Sequence, residues 1–482
     1  MKDIKPVQLI YLFIGFPAFM YVLYRAINIG VTYDEVWTIK GFVTLNFISI
    51  LNYSPCDANN HIMNTILIKL LFWAGNHSLF IARLPNVLAF IIYIYFSYKI
   101  AYRYLSSFIG ICLFLLLLLN PFVLDFFSLA RGYGLSLGFL MASIYYFIAF
   151  FSAKSPKGLL LSFIFGALAV LSNFTLLNYF LAILVVANLA SLLFNTQFKF
   201  KQSLKFSSFV VIPLILILYE PVRKLSGNGS LYYGGNTGFY SDTLISLAKY
   251  TCYTPNSSFI IASGLNAFIL ILAILVLLSF YYNRQILNTR NLLLSIIVFC
   301  ISSVVMQHYL LGTLYLIDRT ALFFYPLFIL GSGFALDTYS EKWFSKVIAT
   351  ILVCSFSINF SLHANVYKTA TWFFDAHTYS ILNELNDIGK TENRKIKIDF
   401  SWPFQSSMHY YNDNSKFAFI EIIKNNQNRE DVNTSADYYI YLDQSLEKVG
   451  YNANSQKINS ISRDTFKLYE KEKVVIFNHL QQ

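Results

Sequence analysis

Long apolar runs separated by short polar connections make up most of this chain before residue 363. Each run approaches the roughly 20 residues that an α-helix needs to cross a bilayer. A shorter apolar patch at 62–74 carries Lys69 and is typical of an interfacial or re-entrant helix. The pattern predicts about eleven membrane-spanning helices, at 8–26, 81–104, 108–128, 132–152, 157–173, 175–194, 206–221, 259–281, 292–311, 320–338 and 345–363.

The pattern changes after residue 363, where the runs become short and rich in β-branched and aromatic residues. Such runs, bounded by polar stretches, are typical of strands. The four predicted strands lie within 394–400, 417–423, 437–443 and 473–479. We therefore predict an α-helical polytopic membrane domain over 1–363, followed by a small C-terminal α/β domain over 364–482 on the outer face.

Composition agrees with a membrane protein and excludes a nucleic-acid binder. The 482 residues are 56% hydrophobic and only 13% charged, whereas a soluble domain is about 25% charged. The net charge is +11, with 22 Lys and Arg against 10 Asp and Glu before His363, and 14 against 15 from there on. The basic excess lies between apolar runs, where it sets topology. It forms no basic stripe with stacking aromatic residues.

The positive-inside rule predicts a multi-pass protein of the cell membrane with a cytoplasmic N-terminus. An odd number of spans then places the tail outside the cytoplasm. Three of the ten acidic residues before residue 363 map to the cytoplasmic face, and the other seven map to the outer face. Those seven are Asp34, Glu35, Asp57, Asp125, Glu220, Asp242 and Asp318. We therefore expect the chemistry on the outer face, in the loops 28–80 and 221–258.

The first outer loop carries the most informative polar residues, beginning with the pair Asp34 and Glu35 just beyond the first span. A solvated turn is the alternative for such a pair. The same loop also contains His61, and Arg83 follows it. Loops longer than about 15 residues in a compact architecture are usually functional or disordered. This loop is too aromatic and apolar to be disordered. A lone His is more often a hydrogen-bonded structural residue than a catalyst or ligand, so a structural role is the alternative for His61.

The second outer connection is almost entirely apolar, yet it contains Asp125 and Arg131. Ionisable residues at membrane depth are costly and usually have a partner or a polar cavity. Arg131 has the alternative of extending its charge to the membrane interface. Gly132 and Gly134 flank Tyr133 and would let another group approach the backbone closely. Arginine also matches a phosphate through its planar fork of donors.

A second cation, Arg319, follows Asp318 at the start of a late span, where a simple salt-bridged pair is the alternative. The chain has no HExxH motif and no Cys/His cluster, so a dedicated metal site is not predicted. No cofactor is predicted with certainty, although carboxylates together with His61 leave a single divalent cation possible. No GxGxxG or P-loop sequence is present to bind a nucleotide.

Taken together, these segments resemble the GT-C superfamily of membrane glycosyltransferases, in particular the protein O-mannosyltransferases and the lipid A aminoarabinose transferases. The resemblance covers roughly residues 8 to 338. The matching segments are Tyr33-Asp34-Glu35, Asn60-His61, Ala82-Arg83-Leu84-Pro85, Leu129-Ala130-Arg131-Gly132-Tyr133 and Asp318-Arg319. The chain departs from the family at His61-Ile62-Met63-Asn64, where the family often has His-Pro-Pro-Leu.

The resemblance implies transfer of a sugar from a polyprenyl-phosphate donor to a hydroxyl of a lipid, glycan or protein acceptor, with inversion, on the extracytoplasmic face. It implies that Asp34 is the general base. The implied supporting roles are orientation of the acceptor or a metal ion by Glu35 or Asp125, phosphate binding by Arg131 and Arg319, and substrate binding by His61, Arg83 and Tyr133.

A transporter or flippase of lipid-linked sugars is the main alternative, and an accessory subunit without activity is another. A transporter often has an internal repeat and substrate-binding groups near the bilayer midplane. This sequence has no evident repeat, and its acidic residues concentrate on one face. The sequence therefore favours the transferase.

Overall fold

The computed structural model describes residues 5–153, 155–193, 200–229, 233–253, 262–266, 268–270, 274, 289–415, 417–423, 436–442, 465–469 and 474–478. The chain divides into two compact units. One, here called the membrane unit, consists of Met1–Ile27 and Phe42–Ala364. The other, here called the tail unit, consists of Asn28–Gly41 and Asn365–Gln482. The segment Asn28–Gly41, here called the acidic loop, contains Asp34 and Glu35.

Within the described residues, seven helices are long and apolar enough to cross a membrane. They are Pro6–Asn28, Leu79–Tyr104, Gly132–Ser152, Phe174–Leu192, Phe200–Gly227, Arg290–Leu311 and Trp343–His363. Three shorter apolar helices are Ile62–Phe72, Pro156–Ser172 and Phe324–Asp337. The predicted fold class, a polytopic helical membrane protein with a small α/β domain, is confirmed. The predicted span 259–281 falls largely outside the described residues.

The predicted continuous span 108–128 is instead two helices, Ser107–Leu118 and Pro121–Phe127, bent by 63°. Pro121 causes the break, because proline has no N–H to donate and disfavours the helical conformation of the residue before it. Asn120 starts the second helix by accepting hydrogen bonds from the backbone N–H groups of Phe122 (3.0 Å) and Val123 (3.3 Å). The second helix carries Asp125.

Small residues allow the central helices of the membrane unit to pack closely. The hydroxyl of Ser143 donates to the carbonyl of Ser162 at 2.7 Å, and the Ser162 hydroxyl donates back to the Ser143 carbonyl at 2.9 Å. A Cβ added at Gly138 would lie 2.8 Å from the Ala89 carbonyl oxygen. Such contacts replace the hydrophobic driving force that helices lack in lipid.

The tail unit contains a five-stranded sheet in the order β2-β1-β3-β5-β4. β1 (Ile396–Phe400) pairs in parallel with β2 (Ile420–Ile422) and with β3 (Tyr438–Leu442). β5 (Val474–Asn478) lies antiparallel to β3 and to β4 (Thr465–Tyr469). The four predicted strands are therefore present, whereas β4 was not predicted.

Two helices, Thr378–Glu392 and Gln405–Ser415, pack with this sheet around a buried apolar cluster that includes Leu385, Ile398 and Phe404. The remaining described helical segments are shorter. They are Tyr33–Val36, Trp37–Phe42 (a π-helical turn), Phe47–Leu51, Phe239–Leu244 (also π-helical), Ile245–Thr251 and the 3₁₀ turns Phe174–Leu176, Asp318–Ala321, Phe373–His377 and Trp402–Phe404.

Candidate functional site

The acidic loop folds into the short helix Tyr33–Val36, in which both predicted carboxylates are buried. The Glu35 carboxylate reaches back to Thr32, accepting hydrogen bonds from its backbone N–H at 3.0 Å and its hydroxyl at 3.2 Å. This contact satisfies a donor at the N-terminus of the helix. The backbone carbonyl of Asp34 accepts a hydrogen bond from the Thr38 hydroxyl at 3.0 Å. Glu35 thus has a structural function in the loop.

Residues far along the chain hold the acidic loop within the tail unit. The backbone N–H of Val31 donates to the Tyr411 hydroxyl at 2.7 Å, and the backbone N–H of Tyr33 donates to the Asp375 carboxylate at 2.8 Å. With the Thr32–Glu35 contact, three successive backbone N–H groups have side-chain acceptors. Sequence reasoning missed Asp375 and Tyr411, because neither lies in a motif.

Asp375 is a buried acid with 1% of its surface exposed. Burial raises its pKa well above the usual 3.8, and the negative charges of Asp34 and Glu35 raise it further. Hydrogen bonds from the Ser407 hydroxyl (2.6 Å) and the Tyr33 amide act in the opposite direction. The net effect favours the protonated form of this carboxyl relative to an exposed aspartate.

The membrane unit contains a separate group of charged and aromatic side chains, here called the arginine cluster: His61, Arg131, Tyr133, Tyr233 and Arg319. Arg131 is 1% exposed. Its guanidinium donates to the Asn59 backbone carbonyl at 3.1 Å and also to the Asn59 side-chain oxygen. It lies 5.9 Å from the centre of the Tyr133 ring. The fork of donors on Arg131 is therefore fixed in orientation.

His61 lies beside the same tyrosine, with ring centres 4.9 Å apart. Burial lowers the pKa of His61 well below its usual 6.5, and the positive charges of Arg131 and Arg319 lower it further. The imidazole is therefore neutral near pH 7 and forms a hydrogen bond with the backbone of Ser172. Within the described part of the chain, its buried Nε2 atom has no hydrogen-bond partner.

The three motif segments around His61, Arg83 and Arg131 meet through two asparagines. The Asn64 amide donates to the carbonyl of Ala130 at 3.1 Å, and the Asn86 amide donates to the side-chain oxygen of Asn64 at 2.8 Å. Asn86 also accepts from the backbone N–H of Leu135 at 2.8 Å. These bonds fix the backbone on both sides of Tyr133.

Both glycines beside Tyr133 are required by close approach, as the sequence predicted. A Cβ added at Gly132 would lie 2.0 Å from the Ser172 carbonyl oxygen and 2.7 Å from the His61 Cβ. A Cβ added at Gly134 would lie 2.5 Å from the carbonyl oxygen of Phe126. The absence of a side chain at Gly132 brings His61 against the segment that carries Arg131.

Arg319 is held by an aromatic ring. Its guanidinium lies 4.2 Å from the centre of the Tyr233 ring, and it donates to the Tyr233 hydroxyl at 2.8 Å. The same hydroxyl donates to Asp318, whose backbone is in the left-handed region at φ +39°. Non-glycine residues rarely adopt that conformation, which often marks functional sites. Tyr233 had no sequence signal.

Asp125 and Arg83 are buried among structural partners. Asp125 forms an ion pair with Arg25 and accepts a hydrogen bond from the Tyr253 hydroxyl at 2.8 Å. Arg83 is fully buried and donates to the carbonyl of Ala26 at 3.1 Å, in the last turn of helix Pro6–Asn28. Sequence reasoning missed Arg25, because it lies at the end of an apolar run.

The predicted site residues thus fall into distinct places. His61, Arg131, Tyr133 and Arg319 belong to the arginine cluster, and Asp34 and Glu35 belong to the acidic loop of the tail unit. Asp125 and Arg83 lie elsewhere in the membrane unit. Among the residues that the structure describes, no group of three or more His, Cys, Asp or Glu side chains is arranged to hold a metal ion.

Comparison with known proteins identifies the fold. A family model described as dolichyl-phosphate-mannose-protein mannosyltransferase matches residues 61–221. The crystal structure of ArnT from Cupriavidus metallidurans in the apo state matches with a TM-score of 0.51 at 10% identity, covering 98% of each chain. Its structure bound to undecaprenyl phosphate matches with the same values. No curated protein sequence matches significantly.

The archaeal oligosaccharyltransferase AglB from Archaeoglobus fulgidus is also similar, with a TM-score of 0.48 and 11% identity over 91% of this chain and 70% of that one. The chain therefore has an ArnT-like fold. The resemblance predicted from the sequence is confirmed, and the protein is a multi-pass membrane protein.

Proposed function

We propose that this protein is an integral-membrane glycosyltransferase that moves a sugar from a polyprenyl-phosphate donor to a hydroxyl of a lipid, glycan or protein. The transfer takes place on the extracytoplasmic face and inverts the anomeric carbon. The observation that carries the proposal is the arginine cluster, in which the Arg131 guanidinium and the His61 imidazole both lie beside the Tyr133 ring. The Arg319 guanidinium in the same cluster is oriented by Tyr233.

Two oriented guanidinium groups match the charge of a phosphate. Arg131 is fixed by Asn59 and Arg319 by Tyr233, so neither loses much side-chain freedom on binding. Guanidinium groups bind phosphate oxygens through paired donors. They would hold the donor and stabilise the charge that develops on the phosphate as the bond to the sugar breaks. ArnT, whose fold this chain shares, has been crystallised with undecaprenyl phosphate.

His61 and Tyr133 would bind the sugar beside that phosphate. A neutral imidazole whose Nδ1 donates to Ser172 has a lone pair on Nε2, which accepts a hydrogen bond from a hydroxyl. The buried Nε2 without a protein partner in the described residues supports this role. Tyr133 supplies an aromatic face next to the imidazole and to Arg131.

Asp34 would be the general base that accepts the proton of the acceptor hydroxyl as that oxygen attacks the anomeric carbon. The bond between this carbon and the phosphate oxygen breaks with its electron pair, so the polyprenyl phosphate leaves as an anion. Catalytic roles for Glu35 and Asp125 and substrate binding by Arg83 stay predictions. The contacts described above give each of these three residues a structural function.

Mass spectrometry of lipid-linked sugars and surface glycans in a strain that lacks the gene tests the proposal. We expect a polyprenyl-phosphate sugar to accumulate and one sugar residue to disappear from a surface glycan, lipid or protein. Expression of the wild-type chain should reverse both changes, whereas Asp34→Asn should reverse neither. Accumulation of the donor only on the cytoplasmic face would instead indicate a transporter of lipid-linked sugars.

A further inference from the structure

We infer that Asp375 is a positioning residue for the transfer reaction: its carboxyl group holds the Tyr33 amide and thereby fixes the backbone that carries Asp34. This inference rests on the proposed function, because it takes Asp34 as the base. It also assigns the tail unit a part in the reaction, which no motif in the tail indicated.

The first observation is the bond itself. Tyr33 is the first residue of the helix Tyr33–Val36, and its backbone N–H donates to the Asp375 carboxylate at 2.8 Å. The N–H groups in the first turn of a helix have no partner within the helix. A carboxyl group 342 positions away supplies one here. Asp34 is the next residue, so any shift at Tyr33 moves Asp34 with it.

The second observation is that Asp375 is itself fixed. The Ser407 hydroxyl donates to its other oxygen at 2.6 Å, so both carboxyl oxygens have partners. Ser407 and Tyr411 are one helical turn apart on Gln405–Ser415 and therefore lie on the same face. Tyr411 accepts from the backbone N–H of Val31. One helix thus supports two anchors of the acidic loop.

The third observation is the fit between the two segments. A Cβ added at Gly30 would lie 3.1 Å from the Asp375 carbonyl oxygen and 3.3 Å from the Tyr411 hydroxyl. Lys40, at the other end of the loop, forms an ion pair with Asp413 at 2.6 Å, on the same helix as Tyr411. The loop is therefore held chiefly at Val31 and Tyr33, because an exposed ion pair such as Lys40–Asp413 contributes little. Misplacement of a reacting group by about 1 Å can cost about 100-fold in rate.

The test compares Asp375→Ala with Asp375→Asn in the full-length protein. Initial rates are measured on the lipid-linked sugar fraction extracted from the strain that lacks the gene. We expect Asp375→Ala to lower kcat about tenfold or more while KM for this lipid fraction changes less than about twofold. Asp375→Asn keeps an oxygen that accepts from Tyr33, so it should restore at least half of the wild-type kcat.

Hydrogen exchange provides a readout that does not depend on activity. Amides of residues 31–36 should exchange faster in Asp375→Ala and at the wild-type rate in Asp375→Asn. Asp399→Ala is the matched control, because Asp399 is a buried acid of the same unit whose partners Phe400 and Tyr441 belong to the sheet region. It should leave the exchange of residues 31–36 unchanged.

If Asp375→Ala does not fold, Tyr411→Phe tests the same anchoring by removing the acceptor of Val31, and it should also speed exchange and lower kcat. Wild-type kcat in folded Asp375→Ala or Tyr411→Phe, beside an inactive Asp34→Asn, would overturn the positioning role alone. An Asp375→Asn variant as impaired as Asp375→Ala would also overturn it. Full activity in Asp34→Asn would instead overturn the base assignment on which this inference rests, and a wild-type protein without transfer activity would overturn the proposed function.

Discussion

The arginine cluster and the acidic loop are both sets of buried or half-buried charged groups, but they are held in different ways. In the cluster, each cation is oriented by side chains and carbonyls of a helical scaffold, such as Asn59 for Arg131 and Tyr233 for Arg319. In the loop, the backbone is held by residues more than 300 positions away, Asp375 and Tyr411. The cluster is thus part of the membrane fold, whereas the loop depends on the tail.

This difference has a consequence for function. Groups that bind a ligand of constant charge, such as a phosphate, need a rigid and permanent arrangement. A general base acts on an acceptor that binds and dissociates in every turnover. Loops positioned by a rigid scaffold commonly carry such residues. Variants of the two regions should therefore differ in whether they change the chemical step or the binding of the donor.

The largest effect is expected for Asp34→Asn. Replacement of the proposed base by a neutral isostere should lower kcat by about 100-fold or more, because general base catalysis typically contributes about 10² to 10⁴-fold. KM for the lipid donor should change little. The measurement is the initial rate on the extracted lipid-linked sugar fraction. Asp387→Asn, an exposed aspartate on helix Thr378–Glu392, is the control and should keep the wild-type rate.

The second-largest effect is expected for the ion pair between Arg25 and Asp125, whose disruption should lower the stability of the fold. Asp125→Asn leaves Arg25 buried without its counter-charge and should lower the free energy of unfolding by about 3–5 kcal/mol. The double variant Arg25→Met, Asp125→Leu should recover most of this loss. Thermal unfolding in detergent measures both. A stable but inactive Asp125→Asn variant would favour the catalytic role predicted from the sequence.

Arg131→Ala and Arg319→Ala should mainly weaken use of the donor. We expect each to lower kcat/KM about 100-fold, through both KM and kcat, because each removes a group proposed to bind the phosphate and to stabilise its developing charge. Arg223→Ala is the control, since that arginine is 59% exposed and pairs with Glu220 at the helix surface. Equal losses in all three variants would show that the effect comes from net charge and not from the cluster.

The smallest effect concerns pH. Because burial, together with the charges of Asp34 and Glu35, raises the pKa of Asp375 in the folded state, the folded state is favoured while this carboxyl is protonated. That contribution is present at acidic pH and is lost as the pH rises through the raised pKa. Asp375→Asn stays neutral, so its melting temperature relative to wild type should increase with pH. A constant difference between pH 4 and pH 8 would contradict this.

Much of the membrane unit was predictable from local pattern. Apolar runs defined its helices, and motifs named His61, Arg131 and Arg319 without any knowledge of their partners. Gly132 and Gly134 indicated close approach, which the Ser172 and Phe126 carbonyls provide. The bend before Pro121 was missed, because a long apolar run concealed a break that a single proline and its preceding asparagine produce.

The sequence by itself determined most of the described helices, most of the tail strands and the residue types of the candidate site. These follow from hydrophobic periodicity and from the cost of charge in an apolar environment, both of which are local properties. Only the tertiary structure decided that Arg25 pairs with Asp125, that Tyr233 holds Arg319, and that Asp375 holds the loop before Asp34. These contacts join residues 86 to 342 positions apart, and a one-dimensional pattern carries no information about which distant groups will meet.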